Sequence, residues 1–148
     1  MGVVVGGIIA GASARSSQQT QIAASVWSQR MKAHQEAFSL WGRCITLVHS
    51  EENEQLTNLR EAREWWNNNC LYLSEEAREQ FPKMIERVRA HRGLVEEGRG
   101  RRDAAMTEAV KENFRQIRET GRVIAKGAGG HLSDRLLEEL SQVPPERS

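Results

Sequence analysis

Mostly apolar side chains recur along the first third of the chain with the period of an α-helix. Between residues 20 and 48 the steps between these positions alternate between four and three. The positions are Thr20, Ala24, Trp27, Met31, His34, Phe38, Trp41, Ile45 and Val48. This alternation is a heptad seam, and it predicts one long amphipathic helix. Because no proline precedes Val48, the helix can continue without a break from the N-terminal segment.

The same rhythm predicts a second helix after Ser50, whose hydroxyl is expected to cap it. The positions Leu56, Leu59, Arg63, Trp66 and Cys70 keep the spacing of three and four, with Arg63 the polar exception. The helix is expected to end at the three asparagines 67–69, because Asn tolerates the left-handed conformation and closes helix ends.

A third helix is predicted to begin at Ser74 and to fade at Gly98 and Gly100. Pro82 lies inside it and lacks a backbone N–H, so we expect a kink or a restart there. A fourth helix is predicted to follow Asp103 and to end at residues 127–130, which read GAGG.

After residue 130, Ser133 can cap a short fifth helix that carries Leu136, Leu137 and Leu140. The elements together predict an all-α fold, an antiparallel bundle of four main helices plus a short C-terminal helix. The expected division is an apolar segment at 1–17, the bundle at 18–142 and a frayed tail at 143–148.

Unequal helix lengths predict a stalk near residues 15–25. The first helix beyond Arg15 would extend about 50 Å, whereas the second and third would reach about 30–35 Å. We expect the uncovered seam at Thr20, Ala24 and Trp27 to pair with further copies in a homo-oligomer. The alternative is that the whole seam is intramolecular core.

The N-terminal segment is uncharged from residue 2 to residue 14. Gly2 and Gly6 lie four residues apart, as do Gly7 and Gly11, a spacing typical of packed transmembrane helices. We therefore expect a membrane anchor, although a full span needs about 20 apolar residues. The alternatives are partial insertion, a natural start upstream, or a Gly/Ala-rich helix packed in a soluble oligomer. A dinucleotide-binding turn is excluded because Ile8 stands where its second glycine is required.

The least ordinary stretch of the sequence is WWNNNCLYL, residues 65–73. Adjacent tryptophans on a helix point about 100° apart, so Trp65 lies at the flank of the seam if Trp66 faces the core. Trp65, Asn68, Asn69 and Tyr72 are therefore candidates for a partner interface. The alternative is a helix end closed by asparagine and packed by aromatic rings.

The basic residues Arg99, Arg101 and Arg102 fall in a predicted turn. Backbone amides of a turn could join them around an anionic partner. The alternative is a solvated turn whose charges pair with Glu96, Glu97 and Asp103.

The sequence gives little support for a catalytic, metal or nucleic-acid-binding site. The four His and two Cys residues are scattered, so we expect no catalytic site, cofactor or metal site. The net charge is only +1, and the basic stretch contains no aromatic side chains. We therefore expect no nucleic-acid partner. Cys44 and Cys70 form no CxxC motif, which is typical of a reducing compartment.

Several phrases together resemble small bacterial membrane-anchored helical proteins of uncharacterised function: VVGGIIAG, SSQQTQ, SQRMKAHQEAFSLWGRC and WWNNNCLYLSEEAR, over residues 3–92. The resemblance implies a bacterial inner-membrane protein whose bundle faces the cytoplasm. A bundle in that position could meet a cytosolic protein partner. Arg15, Arg30 and Lys32 agree with the positive-inside tendency. The resemblance to these proteins assigns no functional residue.

Three functions are compatible with these features. The first is a non-enzymatic, membrane-tethered oligomeric scaffold or adaptor. The second is a membrane-acting effector of antiphage defence or a toxin system, in which the glycine-spaced segment forms a pore. The third is a soluble helical protein-interaction module.

Overall fold

The computed structural model describes the backbone at residues 7–101 and 104–129, with side chains at 17–99 and 104–129. Four helices make up these residues: α1 (Gly7–Thr46), α2 (Glu52–Asn69), α3 (Glu75–Arg101) and α4 (Ala104–Gly127). Single 3₁₀ turns at Leu47–His49 and Cys70–Tyr72 join the first three. The all-α class is confirmed.

The predicted long first helix is also confirmed, since α1 runs without interruption for 40 residues. The second helix ends at Asn69, as predicted. The helix at Ser133, the tail at 143–148, the cap at Asp103 and the residues Gly2, Gly6 and Arg102 lie outside the described residues.

Ser50 is not the cap of α2, and that prediction was wrong. Glu51 stands at the N-cap and makes no side-chain capping hydrogen bond. Ser50 instead belongs to the preceding 3₁₀ turn, because its N–H donates to Leu47 O at 3.1 Å. Its own carbonyl accepts a hydrogen bond from the Arg92 guanidinium. By contrast, Ser74 does cap α3, with its Oγ 3.3 Å from the Ala77 N–H.

Pro82 does not restart α3, which continues through it to Arg101. A proline at this position leaves the carbonyl four residues earlier, that of Arg78, without its helical donor. The Trp66 indole N–H fills the vacancy, donating to Arg78 O at 3.3 Å. A side chain of α2 therefore satisfies the backbone of α3.

The helix also passes Gly98, where we expected it to fade. A methyl group at Gly98 would lie 3.2 Å from Met106 Cγ of α4. The glycine is therefore a point of close approach between α3 and α4 rather than a stop.

One continuous core joins the four helices into a helical bundle. Its largest fully buried side chains are Phe81, Leu59, Met84, Ile85, Ile117 and Ile124. On α4 the buried residues are Asn113, Ile117, Thr120, Gly121 and Ile124. The chain leaves α4 through a turn in which Gly129 takes φ +109°, a conformation that favours glycine.

The predicted seam of α1 is offset from the core it faces. His34 and Val48 are buried as expected, and Phe38, Trp41 and Ile45 are half-buried. The centre of the buried face, however, carries smaller residues that the seam left out: Ala33, Ala37, Leu40 and Cys44. Small side chains there bring α1 close to its neighbours, and the large aromatics lie at the edge of the contact.

Trp41 fixes α1 against α4. Its indole N–H donates to Ile117 O at 2.8 Å, 76 residues away in sequence. The ring lies over Gly121, where an added methyl group would come closer than 3.0 Å to three ring atoms. The tryptophan occupies a notch that only glycine leaves open.

We predict that Gly121→Ala lowers the free energy of unfolding by about 1–3 kcal/mol, because it overpacks the Trp41 ring. Chemical denaturation monitored by circular dichroism measures the change. The matched control is Gly93→Ala in α3, where an added methyl group meets nothing within 4 Å.

The control is expected to raise the free energy of unfolding by about 0.5–1 kcal/mol, as alanine does in a helix interior. Equal effects of the two substitutions would contradict the close packing of Trp41 on Gly121.

Candidate interaction surface

The N-terminal part of α1 extends beyond the other helices as an exposed stalk, residues 17–30. Every described side chain in this range is exposed. Three of them are large and apolar: Ile22 is 58% exposed, Val26 49% and Trp27 62%. Such a cluster on one helix is more than the scattered apolar exposure that any soluble protein shows.

These residues continue the face that α1 buries further along. Residues seven apart lie on the same line of a helix in a heptad pattern. Trp27 is in line with His34 and Trp41, while Val26 is in line with Ala33 and Leu40. Ala23 lies on the line that leads to Ala37 and Cys44. We call Ile22, Ala23, Val26 and Trp27 the stalk face.

The predicted seam had named Thr20, Ala24 and Trp27. The structure exposes all three on the stalk. Trp27 belongs to the stalk face, whereas Ala24 lies on the line of Met31 and Phe38, at the edge. Sequence reasoning missed Ile22 and Val26, because the line of Val26 through Ala33 and Leu40 is recognised as the buried face only in the structure.

The stalk leaves the bundle at His34, where three elements meet. The ring Nδ1 lies 2.8 Å from Arg30 O, and the Ser74 N–H points to Nε2 at 3.1 Å. Because Nε2 accepts, the hydrogen of the neutral ring is on Nδ1, which donates to Arg30 O. A methyl group at Gly127, the last residue of α4, would collide with the same ring.

Burial lowers the pKa of His34 below its ordinary value, and the charge of Arg30 lowers it further, against the effect of the Arg30 backbone hydrogen bond. A second buried histidine, His91, lies against His49 and Phe114 with ring centroids 5.3 and 5.7 Å away. Burial lowers its pKa as well, followed by repulsion from His49. Both histidines are therefore held in the neutral form.

The predicted partner residues at the end of α2 are partly used inside the protein. The Trp65 indole N–H donates to Glu36 at 2.8 Å, and its ring lies 5.5 Å from Phe81. Asn69 donates to Trp65 O at 2.9 Å. Its φ of −125° is not left-handed, so α2 ends in a 3₁₀ turn rather than in the expected asparagine cap.

Asn68, Leu71 and Tyr72 remain exposed at this corner. Tyr72 borders a hollow of about 200 Å³ with Gln29, Lys32 and Ala33 of α1. The corner therefore adjoins the base of the stalk. Its role as a partner interface stays a prediction.

The basic group does not sit in a turn as predicted. Arg99 is exposed inside α3, and Arg101 is the last residue of that helix. Helix α3 continues past both glycines, because a glycine in a helix interior costs only about 1 kcal/mol relative to alanine. Arg102 lies outside the described residues, and an anionic partner stays a prediction.

Cys44 is buried in the core and accepts a hydrogen bond from the Asn58 amide at 3.3 Å. Burial raises the pKa of its thiol to about 11, so it is a structural residue and a poor nucleophile. Within the described part of the chain, no three His, Cys, Asp or Glu side chains are grouped so that they could hold a metal ion.

Gly7 and Gly11 lie in the first turns of α1, which begins at Gly7. Of the helices described, none combines the length and the hydropathy needed to cross a membrane. Comparison with protein families, curated proteins and solved structures finds no match to this chain.

We predict that the protein is less stable at pH 5.5 than at pH 8. Unfolding returns His34 and His91 to an ordinary pKa of 6.5, above their folded values. The unfolded chain therefore binds more protons below pH 6.5, and stability falls with pH in that range until the folded pKa is passed. Denaturation at a series of pH values measures the trend.

Glu112 does not contribute to the change between pH 8 and pH 5.5. Glu112 has its pKa lowered to about 2 by hydrogen bonds from Arg115 and Gln116, so it titrates at lower pH. Stability that is unchanged or greater at pH 5.5 would contradict the neutral, buried state of the two histidines.

Proposed function

We propose that this protein is a non-enzymatic helical scaffold that associates with a second copy through its stalk face. The single observation that carries the proposal is the exposure of Val26 and Trp27 in line with the buried face of α1, with the exposed Ile22 one turn before Val26. A heptad stripe that has no partner within the described residues is the usual docking site of another helix.

The proposal includes an antiparallel arrangement of the four helices. The joining turns are short, which favours antiparallel neighbours. Contacts between α1 and α4 agree with it, because Trp41 lies at Gly121 whereas the earlier residue His34 lies at the later Gly127. This arrangement puts the stalk at one end of the bundle.

The scaffold reading is also supported by how the polar groups of the interior are used. Gln55 donates to Val48 O at 3.0 Å, and Asn113 donates to Arg87 O at 3.1 Å. The first bond joins α2 to the 3₁₀ turn that precedes it, and the second joins α4 to α3. Groups committed to structure in this way are not free to act on a substrate.

We further propose that residues 1–17 tether the scaffold to a membrane surface. The segment is uncharged from residue 2 to residue 14, and Arg15 lies near its end. Since α1 is continuous from Gly7, the stalk would separate the segment from the bundle by about 20 Å of helix. A tethered scaffold held at that distance could meet partners in the cytoplasm.

We predict that Trp27→Ser in the full chain weakens self-association at least about tenfold, because a large aromatic anchor is lost from the interface. Sedimentation velocity over a range of concentrations measures the dissociation constant. The control is Leu56→Ser, an exposed leucine at the start of α2, away from the stalk. The proposal fails if the parent chain stays monomeric, or if both variants behave alike.

The tether is tested by fractionation. We predict that the full chain stays with membranes after carbonate extraction, whereas a chain that starts at Gln18 is released, because the apolar segment is its only attachment. If both chains are released, the tether is wrong and the protein is a soluble interaction module.

A further inference from the structure

We propose that the C-terminal segment, residues 131–142, packs on the stalk face of its own chain and competes there with a second copy. The proposal rests on the stalk face described above and names the regulation of that site. Four observations support it: where α4 ends, the register of α4 on α1, the leucine spacing of the segment, and its charge.

The first observation is the place where α4 ends. Its last residue, Gly127, lies against His34, the residue at which the stalk leaves the bundle. The following turn closes with Ala128 N–H to Ala125 O and Gly129 N–H to Lys126 O, each at 3.2 Å. The chain therefore leaves the bundle at the base of the stalk, and two or three residues are enough to reach it.

The second observation is the register between α1 and α4. Trp41 lies at Gly121 and His34 at Gly127, so seven residues on α1 match six on α4. Both helices advance by about 1.5 Å per residue. If the chain resumes the direction of α4 after the turn at 128–129, this register sets residues 133–137 beside Trp27 to Ile22.

The third observation is the pattern of the segment itself. Ser133, Leu136, Leu137 and Leu140 are spaced as one face of a helix, and Ser133 is a favourable first cap. A leucine face of two turns matches the length of the stalk face. No other apolar cluster follows residue 130, except Val143 and two prolines.

The fourth observation is charge. Residues 131–142 carry three carboxylates and one guanidinium, a net charge of −2. Residues 17–32 carry Arg30 and Lys32 and no acidic residue. The segment is therefore complementary to the stalk, whereas a second stalk would bring like charges together. Electrostatics favour the segment over a second copy as the occupant of the face.

Disulfide trapping in the full chain tests the placement. Gln19→Cys is combined with Ser141→Cys, in a Cys70→Ser background that removes the half-buried thiol. Residue 19 is on the line of Val26 and, by the register above, opposite Leu140, the residue next to Ser141. The matched control is Gln21→Cys with Ser141→Cys. Residue 21 is at nearly the same position along α1 as residue 19, but on the side of the helix opposite the stalk face.

Under mild oxidation of dilute protein, the Gln19 pair is expected to close within one chain at least about tenfold faster than the Gln21 pair, since docking raises the local thiol concentration. Adding Leu136→Ser and Leu137→Ser should slow the Gln19 pair to the control rate. Equal rates for the two pairs would overturn the proposal. Disulfides that join two chains would overturn it in favour of exchange between copies.

Competition is tested separately by sedimentation. Leu136→Ser with Leu137→Ser should tighten self-association about tenfold, and adding Trp27→Ser should remove the gain. Unchanged association would overturn the competition. The trapping experiment measures a disulfide within one chain, so its result does not depend on self-association. Failure of this inference and failure of the proposed function are therefore distinguishable.

Discussion

The architecture depends on a mismatch of length between α1 and the helices around it. A 40-residue helix cannot be covered along its whole length by neighbours of 18 to 27 residues. Among the described residues, its inner face is therefore buried at one end and exposed at the other. Three features follow from this constraint: the junction at His34, the exposed stalk face, and the position of the end of α4 at the base of the stalk.

Inside the bundle, side chains complete what the backbone leaves open. Trp66 supplies the donor that Pro82 lacks, His34 accepts the N–H of Ser74 at the start of α3, and Trp41 donates to the carbonyl of Ile117. Each of these bonds joins two different helices. Because an unpaired buried polar group is costly, such bonds hold the helices in one register rather than in several.

The sequence was informative where a single physical signal dominated. Helical periodicity located all four described helices, and the GAGG stretch located the end of α4. The sequence was misleading where contacts between helices decided the structure. Nothing local distinguishes Gly98, which passes close to Met106, from a helix stop. The heptad count favoured large residues, whereas the tightest face of α1 is lined by Ala33, Ala37 and Cys44. For the candidate surface, the stalk and Trp27 could be predicted, but Ile22 and Val26 required the true orientation of the helix.

The stalk has one more consequence, for how such a chain can change in length. Inserting or deleting seven residues within it would move the N-terminal segment by about 10 Å while keeping Trp27 in line with His34 and Trp41. A change of three or four residues would instead rotate the bundle about the helix axis relative to that segment. The distance between the N-terminal segment and the bundle can therefore change in steps of seven residues while their relative orientation about the helix axis is kept.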